Sequence, residues 1–457
     1  MKYINSAVLT SLLALSACGA PQYSKETLKT QITKLSEVSS STAKQKQTNL
    51  VLSGDFISDL SRATKYSPEY LTARSNTRSA FDRIAVASAD QKLQVVANAN
   101  AGQTIKDGSG LASSKQSGAS ANLSIKRLIF DGGASAARID LAQANAFIAE
   151  MDAEIVANNI AEDAAVAWIS LNTLNSRTQL LQKLVAKTGE MNTQLQTLVA
   201  SGMIDKSASA SAEIALRALV LEEMRLDAEI SATSANFIKY FGNLPKHLNA
   251  PASLLTSTDL QKIQKDWSKS PILLQTAAKV LAAKQMLIAS QSSQKPAVDF
   301  KAGVISPMDR AERTNYAVGL ELNWIIGDGG RRKANTAAQA ANLKAAEHGL
   351  AAAKLAGKNI LDSTLSQRTA FIASLEILAS QEISTQNELE IMWSQLPTGQ
   401  TSVRQLIEAE EKAYRTADRK ILVGSELLTL EFKLLAQSGI LATKLALDEN
   451  KKNKAQK

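Results

Sequence analysis

The side chains best suited to chemistry are few and scattered in this sequence. The two histidines, His247 and His348, stand far apart in Lys/Ala-rich surroundings and read as ordinary surface residues. One cysteine, Cys18, excludes an intrachain disulfide and a cysteine-based metal site. No nucleophile triad, zinc-ligand spacing or histidine general base is supported. Neither a catalytic residue nor a metal or other cofactor is therefore expected. Two glycine-rich runs, Phe130-Asp131-Gly132-Gly133 and Gly327-Asp328-Gly329-Gly330-Arg331-Arg332, invite a phosphate-cradle reading. Neither has the G-x-G-x-x-G or Gly-Lys-Ser/Thr pattern of a nucleotide site. They read instead as sharp strand-to-helix bends, with glycines freeing the backbone and Asp131 and Asp328 capping the next helix.

The N-terminus reads as an export signal. Lys2 supplies positive charge, Ala7 to Leu15 is a short apolar run, and small residues follow. A helix that spans a bilayer takes about 20 apolar residues, so this run is too short. It ends in Leu15-Ser16-Ala17-Cys18, which resembles a bacterial lipobox: cleavage before Cys18 and a diacylglycerol on its thiol are expected. Gly19 follows where an Asp would signal inner-membrane retention, so outer-membrane delivery is expected. After residue 18 no apolar run reaches helix-spanning length. The rest lies in the periplasm or crosses the membrane as a barrel, whose strands need only about 10 alternating residues each.

Composition bounds the fold. Aromatics are 4% and prolines 8 of 457 residues, which leaves long helices uninterrupted. Hydrophobic residues reach 45%, but much of that is Ala, which favours close helix–helix contact over a thick core. The net charge of +9 is spread along the chain without Arg–aromatic interleaving. It reads as a solvated surface with a Lys-rich tail rather than a nucleic-acid footprint.

An internal duplication organises the elements that must position everything else. The Asp-Gly-Gly runs are offset by 329 − 132 = 197, and Gly202/Gly399 and Glu213/Glu410 keep the same offset. Upstream, Ser67-Pro68 and Ser270-Pro271 differ by 270 − 67 = 203, so the first repeat holds 203 − 197 = 6 extra residues. The Gly/Ser/Lys-rich stretch Lys106 to Ser117, read as a loop, is their natural site. Each repeat reads as helix, strand pair and long helical hairpin. Tyr316 to Ile326 is the clearest strand, with Tyr316, Val318, Leu320, Leu322 and Trp324 alternating with Ala317, Gly319, Glu321 and Asn323. That pattern fits a lipid-facing barrel strand with aromatic girdles or a half-buried strand of a soluble sheet. Val298 to Val304 is its expected hairpin partner, and Leu123 to Lys126 holds the matching place in the first repeat. From Gly133 to Gly202 nothing breaks a helix, and at about 1.5 Å per residue that stretch reaches about 100 Å. Leucines at coiled-coil steps flank Gly202, a hairpin tip copied at Pro397-Thr398-Gly399.

Paired hairpins, strand pairs and tandem duplication resemble the TolC-like channels of the outer membrane. The Asp-Gly-Gly junctions look like that family's junction motif. The runs Val199-Ala200-Ser201-Gly202-Met203-Ile204 and Leu396-Pro397-Thr398-Gly399-Gln400-Thr401 look like its tip motif. The resemblance covers about residues 67 to 441. It implies a mainly α fold with a β-barrel part: antiparallel coiled-coil hairpins forming a periplasmic α-barrel, and four transmembrane strands per chain in a barrel shared by a homotrimer. Sharing agrees with physics, because four strands cannot close alone and open edges are not tolerated in lipid. It further implies adaptor docking at the tips, with Gly202, Met203, Gly399 and Thr401, and an acidic ring at the periplasmic mouth. Glu408 falls on one acidic position of that ring and Gln405 on the other, a departure from the family pattern. Arg404 and Glu408 are also i,i+4 neighbours, which fits a plain helix pair. Both readings stay open.

The expected organisation is a signal peptide at 1–17, a polar periplasmic segment at 18–66, repeats at 67–250 and 251–445, and a Lys-rich tail at 446–457. The expected function is a passive exit duct of a tripartite efflux pump or type I secretion system, with a periplasmic adaptor and an inner-membrane pump as partners. It is not an enzyme and meets outer-membrane lipid, not nucleic acid. The alternative is a periplasmic coiled-coil adaptor lipoprotein, but adaptors carry all-β domains flanking one hairpin, and two hairpins are read here.

Overall fold

The structure, a computed structural model, describes residues 30–35, 52–106, 114–202, 206–245, 247–307, 314–396, 398, 400–445 and 447. The expected signal peptide, Cys18, Met203, Gly399 and all of the 446–457 tail but Leu447 lie outside them.

Two series of elements run in parallel. The first is α1 (Phe56–Lys65), α2 (Pro68–Ala89), β1 (Gln94–Lys106), β2 (Ser114–Phe130), α3 (Ala134–Ala200) and α4 (Lys206–Phe241). The second is α5 (Ser257–Asp266), a 3-10 turn (Trp267–Lys269), α6 (Pro271–Ser292), β3 (Ala297–Pro307), β4 (Asn315–Asn323), α7 (Arg331–Gln395) and α8 (Val403–Gln437). A short α9 (Ile440–Lys444) closes the chain. Counterpart helices have 10 and 10, 22 and 22, 67 and 65, and 36 and 35 residues. Ser67 and Ser270 open α2 and α6 in extended backbone with Pro in the first turn, where its missing N–H costs nothing. α1 falls in the stretch from which the sequence reading drew nothing.

The four strands form one antiparallel sheet in the order β1-β2-β3-β4. Gln94 pairs with Lys126, and Ala297 with Asn323. The repeat offset is thus 297 − 94 = 203 on the first strand of each hairpin and 323 − 126 = 197 on the second. The six extra residues sit in the first hairpin, beyond those pairs. Two strand limits need correction. Lys106 and Ser114 to Ser117 are not loop, because β1 and β2 pair backbone to backbone out to Lys106↔Ser114, which overrides their Gly/Ser-rich composition. β4 ends at Asn323 rather than Ile326, because β3 begins at Ala297 and offers no backbone below it.

Register sorts the sheet into two faces. Val95, Ala97 and Ala99 on β1 share one face with Ala121, Leu123 and Ile125 on β2. Val298, Phe300, Ala302 and Val304 continue it on β3, and Leu322, Leu320, Val318 and Tyr316 on β4. The other face carries Asn98, Asn122, Ser124, Lys126, Asp299, Lys301 and Glu321. Ion pairs Lys126–Asp299 (3.1 Å) and Lys301–Glu321 lie on it. The apolar face is uncovered: Tyr316 is 82% and Trp324 55% exposed.

Below the sheet, α3 packs against α2, α6, α4 and α8, and α7 against α6 and α8. Against the expectation that no run after residue 18 reaches spanning length, the stretch Ser257–Ser292 holds a window long and apolar enough to cross a membrane, yet its α6 part lies between α3 and α7. At about 1.5 Å per residue, α3 is about 100 Å long. Trp168, midway along α3, anchors the main core with Phe56 and Leu60 of α1, Phe237 and Phe241 of α4, and Phe432 of α8. Its indole N–H donates to the Asn249 carbonyl at 3.0 Å, which satisfies the buried polar atom. Further along, Leu181, Leu226 and Tyr414 pack together, and then Met191, Leu195, Ala212, Leu389, Leu406 and Ala409. The coiled-coil steps around Gly202 are thus the seam where the two hairpins of one chain meet.

Candidate functional site

Three regions can do something: the junctions, the two-faced sheet and the tips. The junctions repeat each other's aspartate-to-amide hydrogen bonds. Asp131 Oδ1 accepts from the Gly133 amide (3.0 Å) and Oδ2 from the Ser135 amide (2.6 Å). Asp328 accepts from the Gly330 and Arg332 amides, both at 3.1 Å. Gly132, Gly133, Gly329 and Gly330 all have positive φ, between 64° and 95°. Two consecutive left-handed residues reverse the strand direction, and the carboxylate then satisfies orphan amides of the helix. These amides are occupied by the chain's own carboxylates, so the junctions do not offer them to a phosphate. The junctions also hold the end of α6. The Gly132 carbonyl accepts from Ser292 Oγ and Lys295 Nζ, and Arg332 donates to the carbonyls of Ser293 and Ile325.

At the first tip α3 ends at Ala200 and Gly202 has φ 74° with open space around its α-carbon. At the second, Ser402 caps α8 in a reciprocal capping box with Gln405. The Gln405 side-chain oxygen accepts from Ser402 N (3.0 Å) and Oγ (2.9 Å), so that side chain is spent on its own helix start. Thr401 is buried and donates to Gln395 Oε1 at 2.9 Å. Arg404 and Glu408 are both exposed, and among the described residues no ion pair joins them. Glu408 instead borders a shallow surface hollow with Glu411, Lys412, Arg415 and Arg419.

Sequence reasoning missed the polar link between the hairpins. Arg177 of α3 holds Asp418 of α8 and approaches Glu229 of α4 at 4.0 Å. Burial opposes the Arg177 charge most strongly, but the hydrogen bond to Asp418, the Asp418 charge and Tyr414 together outweigh it and raise its pKa. Burial pushes the neighbouring Tyr414 hydroxyl up, and Asp418 and Glu222 add to the effect. Only a polar residue recurring inside an otherwise leucine-rich seam signals such a link in sequence. His247 and His348 are both exposed, and among the described residues no cluster of His, Cys, Asp or Glu could hold a metal.

The fold is thus a two-faced sheet set on two long helical hairpins. Residues 263–439 match the Outer membrane efflux protein family. The fold recurs in VceC of Vibrio cholerae, at TM-score 0.75 and 15% identity over 84% of this chain and 96% of that one. It recurs in the CmeC outer membrane channel of Campylobacter jejuni, at TM-score 0.71 and 12% identity over 84% and 85%. The open MtrE outer membrane channel of Neisseria gonorrhoeae gives TM-score 0.69 and 14% identity over 85% and 89%. No curated protein sequence matches the chain. Most of the second repeat thus matches the outer membrane efflux protein family, and about 84% of the chain shares its fold with these outer-membrane proteins.

Proposed function

We propose that this chain is the outer-membrane exit duct of a tripartite efflux pump, a channel rather than an enzyme, with energy supplied by an inner-membrane partner. The observation that carries the reading is the sheet: one apolar face, one polar face, and two unpaired edges, on β1 and β4. In lipid every backbone group must pair, so such a sheet is complete only when copies join edge to edge into a closed barrel. Three copies would give a barrel of about twelve strands, apolar outside and polar within. Exposed Ile214, Leu221 and Met224 on α4 and Leu355, Ile377 and Ile391 on α7 supply helix faces for neighbouring copies.

Cys18 adds a lipid anchor in this reading. The tips at Gly202–Met203 and Gly399–Thr401 meet a periplasmic adaptor, with Gly202 the exposed element and Thr401 a buried brace. Three Glu408 side chains border the periplasmic mouth. The adaptor alternative is not favoured, since two hairpins under one shared sheet replace the flanking all-β domains an adaptor needs. Planar-bilayer recordings test the duct directly. The purified full chain should insert and conduct in steps of fixed size, whereas a periplasmic adaptor would leave the bilayer silent.

A further inference from the structure

The apolar face of the sheet carries one charge between Ala121 and Phe130, and it lies low on β2. Arg127 pairs in register with Phe300, whose other partner is Leu320. On its own strand Ile125 shares its face above. Arg127 is exposed, and among the described residues no hydrogen bond or ion pair engages its side chain. The carboxylates nearest in register are already committed: Asp131 to the Gly133 and Ser135 amides, Asp299 to Lys126. β2 is flanked by β1 and β3 within the chain, so closure through the β1 and β4 edges adds no strand beside it.

The duplication gives its height. The offset from Arg127 to Trp324 is 324 − 127 = 197, the constant of the second strands. Each stands four residues before its junction aspartate, Asp131 or Asp328. Trp324, one residue beyond β4 with its indole N–H donating to the Gln294 carbonyl at 3.3 Å, is an exposed aromatic at the periplasmic end of the apolar band, where amphipathic rings mark the headgroup level. In the first hairpin that girdle position is held by a guanidinium. At this depth, with apolar side chains in register beside it, the one abundant anion is a lipid phosphate. A guanidinium meets it with two parallel N–H donors while the aliphatic stem covers apolar surface.

We propose that Arg127 binds the phosphate of a phospholipid in the periplasm-facing leaflet, so that the lower girdle alternates Trp324 and Arg127 around the barrel. This rests on the duct reading, and the test separates the two. Native mass spectrometry of the detergent-solubilised full chain, titrated with phosphatidylglycerol or with phosphate-free diacylglycerol, counts bound lipid. Wild type should retain one tightly held phosphatidylglycerol per chain. Arg127→Leu should bind it at least about tenfold more weakly, with diacylglycerol binding equal in both. Arg127→Lys should keep part of the preference. Arg127→Gln, polar but uncharged, gives the same reading should the leucine variant not assemble. Asn122→Ala, on the opposite face, should leave lipid retention unchanged. A wild type that conducts in bilayers while Arg127→Leu and Arg127→Gln hold phosphatidylglycerol as it does overturns the site alone. A wild type that neither inserts nor conducts overturns the duct and the site together.

Discussion

Arg177 of α3 and Asp418 of α8 are joined by two hydrogen bonds, Nε to Oδ1 at 2.6 Å and Nη2 to Oδ2 at 3.2 Å. The pair ties the two hairpins of one chain and is largely buried, at 12% and 15% side-chain exposure. Removing one partner strands the other charge in a leucine-lined seam. Asp418→Ala should therefore lower stability by about 3 kcal/mol. Arg177→Met with Asp418→Leu should recover most of it, because no charge is left unpaired. Chemical denaturation of wild type, Arg177→Met, Asp418→Leu and the double variant, read as a double-mutant cycle, measures the coupling.

Gly357 of α7 is packed against the Trp267 indole: a β-carbon there would lie 2.8 Å from Nε1. Helix propensity favours Ala over Gly by about 1 kcal/mol, but overpacking against a rigid ring costs about 1–3 kcal/mol. Gly357→Ala should be net destabilising. Gly349→Ala, on the same helix with open space around it, should be stabilising. Opposite signs of the melting-temperature shift are the expected result; a gain in both would mean that Trp267 moves aside.

The two junction aspartates differ in one respect. Both accept two backbone amides, but Asp328 also accepts from Arg332 Nε at 2.8 Å. Asp131→Ala should cost about 1 kcal/mol, the worth of a helix cap. Asp328→Ala should cost more, because a charge-assisted bond goes with the cap. Thermal unfolding in detergent compares them, and equal losses would deny Arg332 a role at the junction.

Leu320 and Ala317 stand on opposite faces of β4. Leu320→Arg should cost roughly 2–4 kcal/mol near mid-bilayer and abolish assembly into vesicles. Ala317→Arg should assemble. Ala317 is the better probe of the polar face than Glu321, which is tied to Lys301. Assembly of the first variant and failure of the second would invert the facing.

Glu408 tests the periplasmic mouth. Like charges ringed around a narrow opening attract cations. Glu408→Gln should reduce cation selectivity, read as a smaller reversal potential under a salt gradient. The effect should be modest, since the Gln405 side chain caps α8 and adds no charge. Unchanged selectivity would place Glu408 away from the conducting path.

Much of this architecture is written in local sequence. Proline scarcity and leucines at heptad steps allow helices of 67 and 65 residues, and the Asp-Gly-Gly runs mark where strands must bend into them. Period-two alternation on β4 assigned its faces, because side-chain direction in a strand depends on parity alone. The constant offset of 197 located the equivalent positions. Other features depend on what comes near in space. β1 and β2 extend through Gly/Ser-rich sequence because each supplies backbone partners to the other, and β4 stops where β3 has none left. α1 acquires its meaning from Trp168, which buries Phe56 and Leu60 about a hundred residues away in sequence. The Arg177–Asp418 link joins residues 241 apart, and neither has a local partner to announce it. Helices, bends and faces follow from nearest neighbours along the chain. Strand limits, the aromatic core and the polar tie between hairpins were decided only when distant backbone and side chains came within bonding distance.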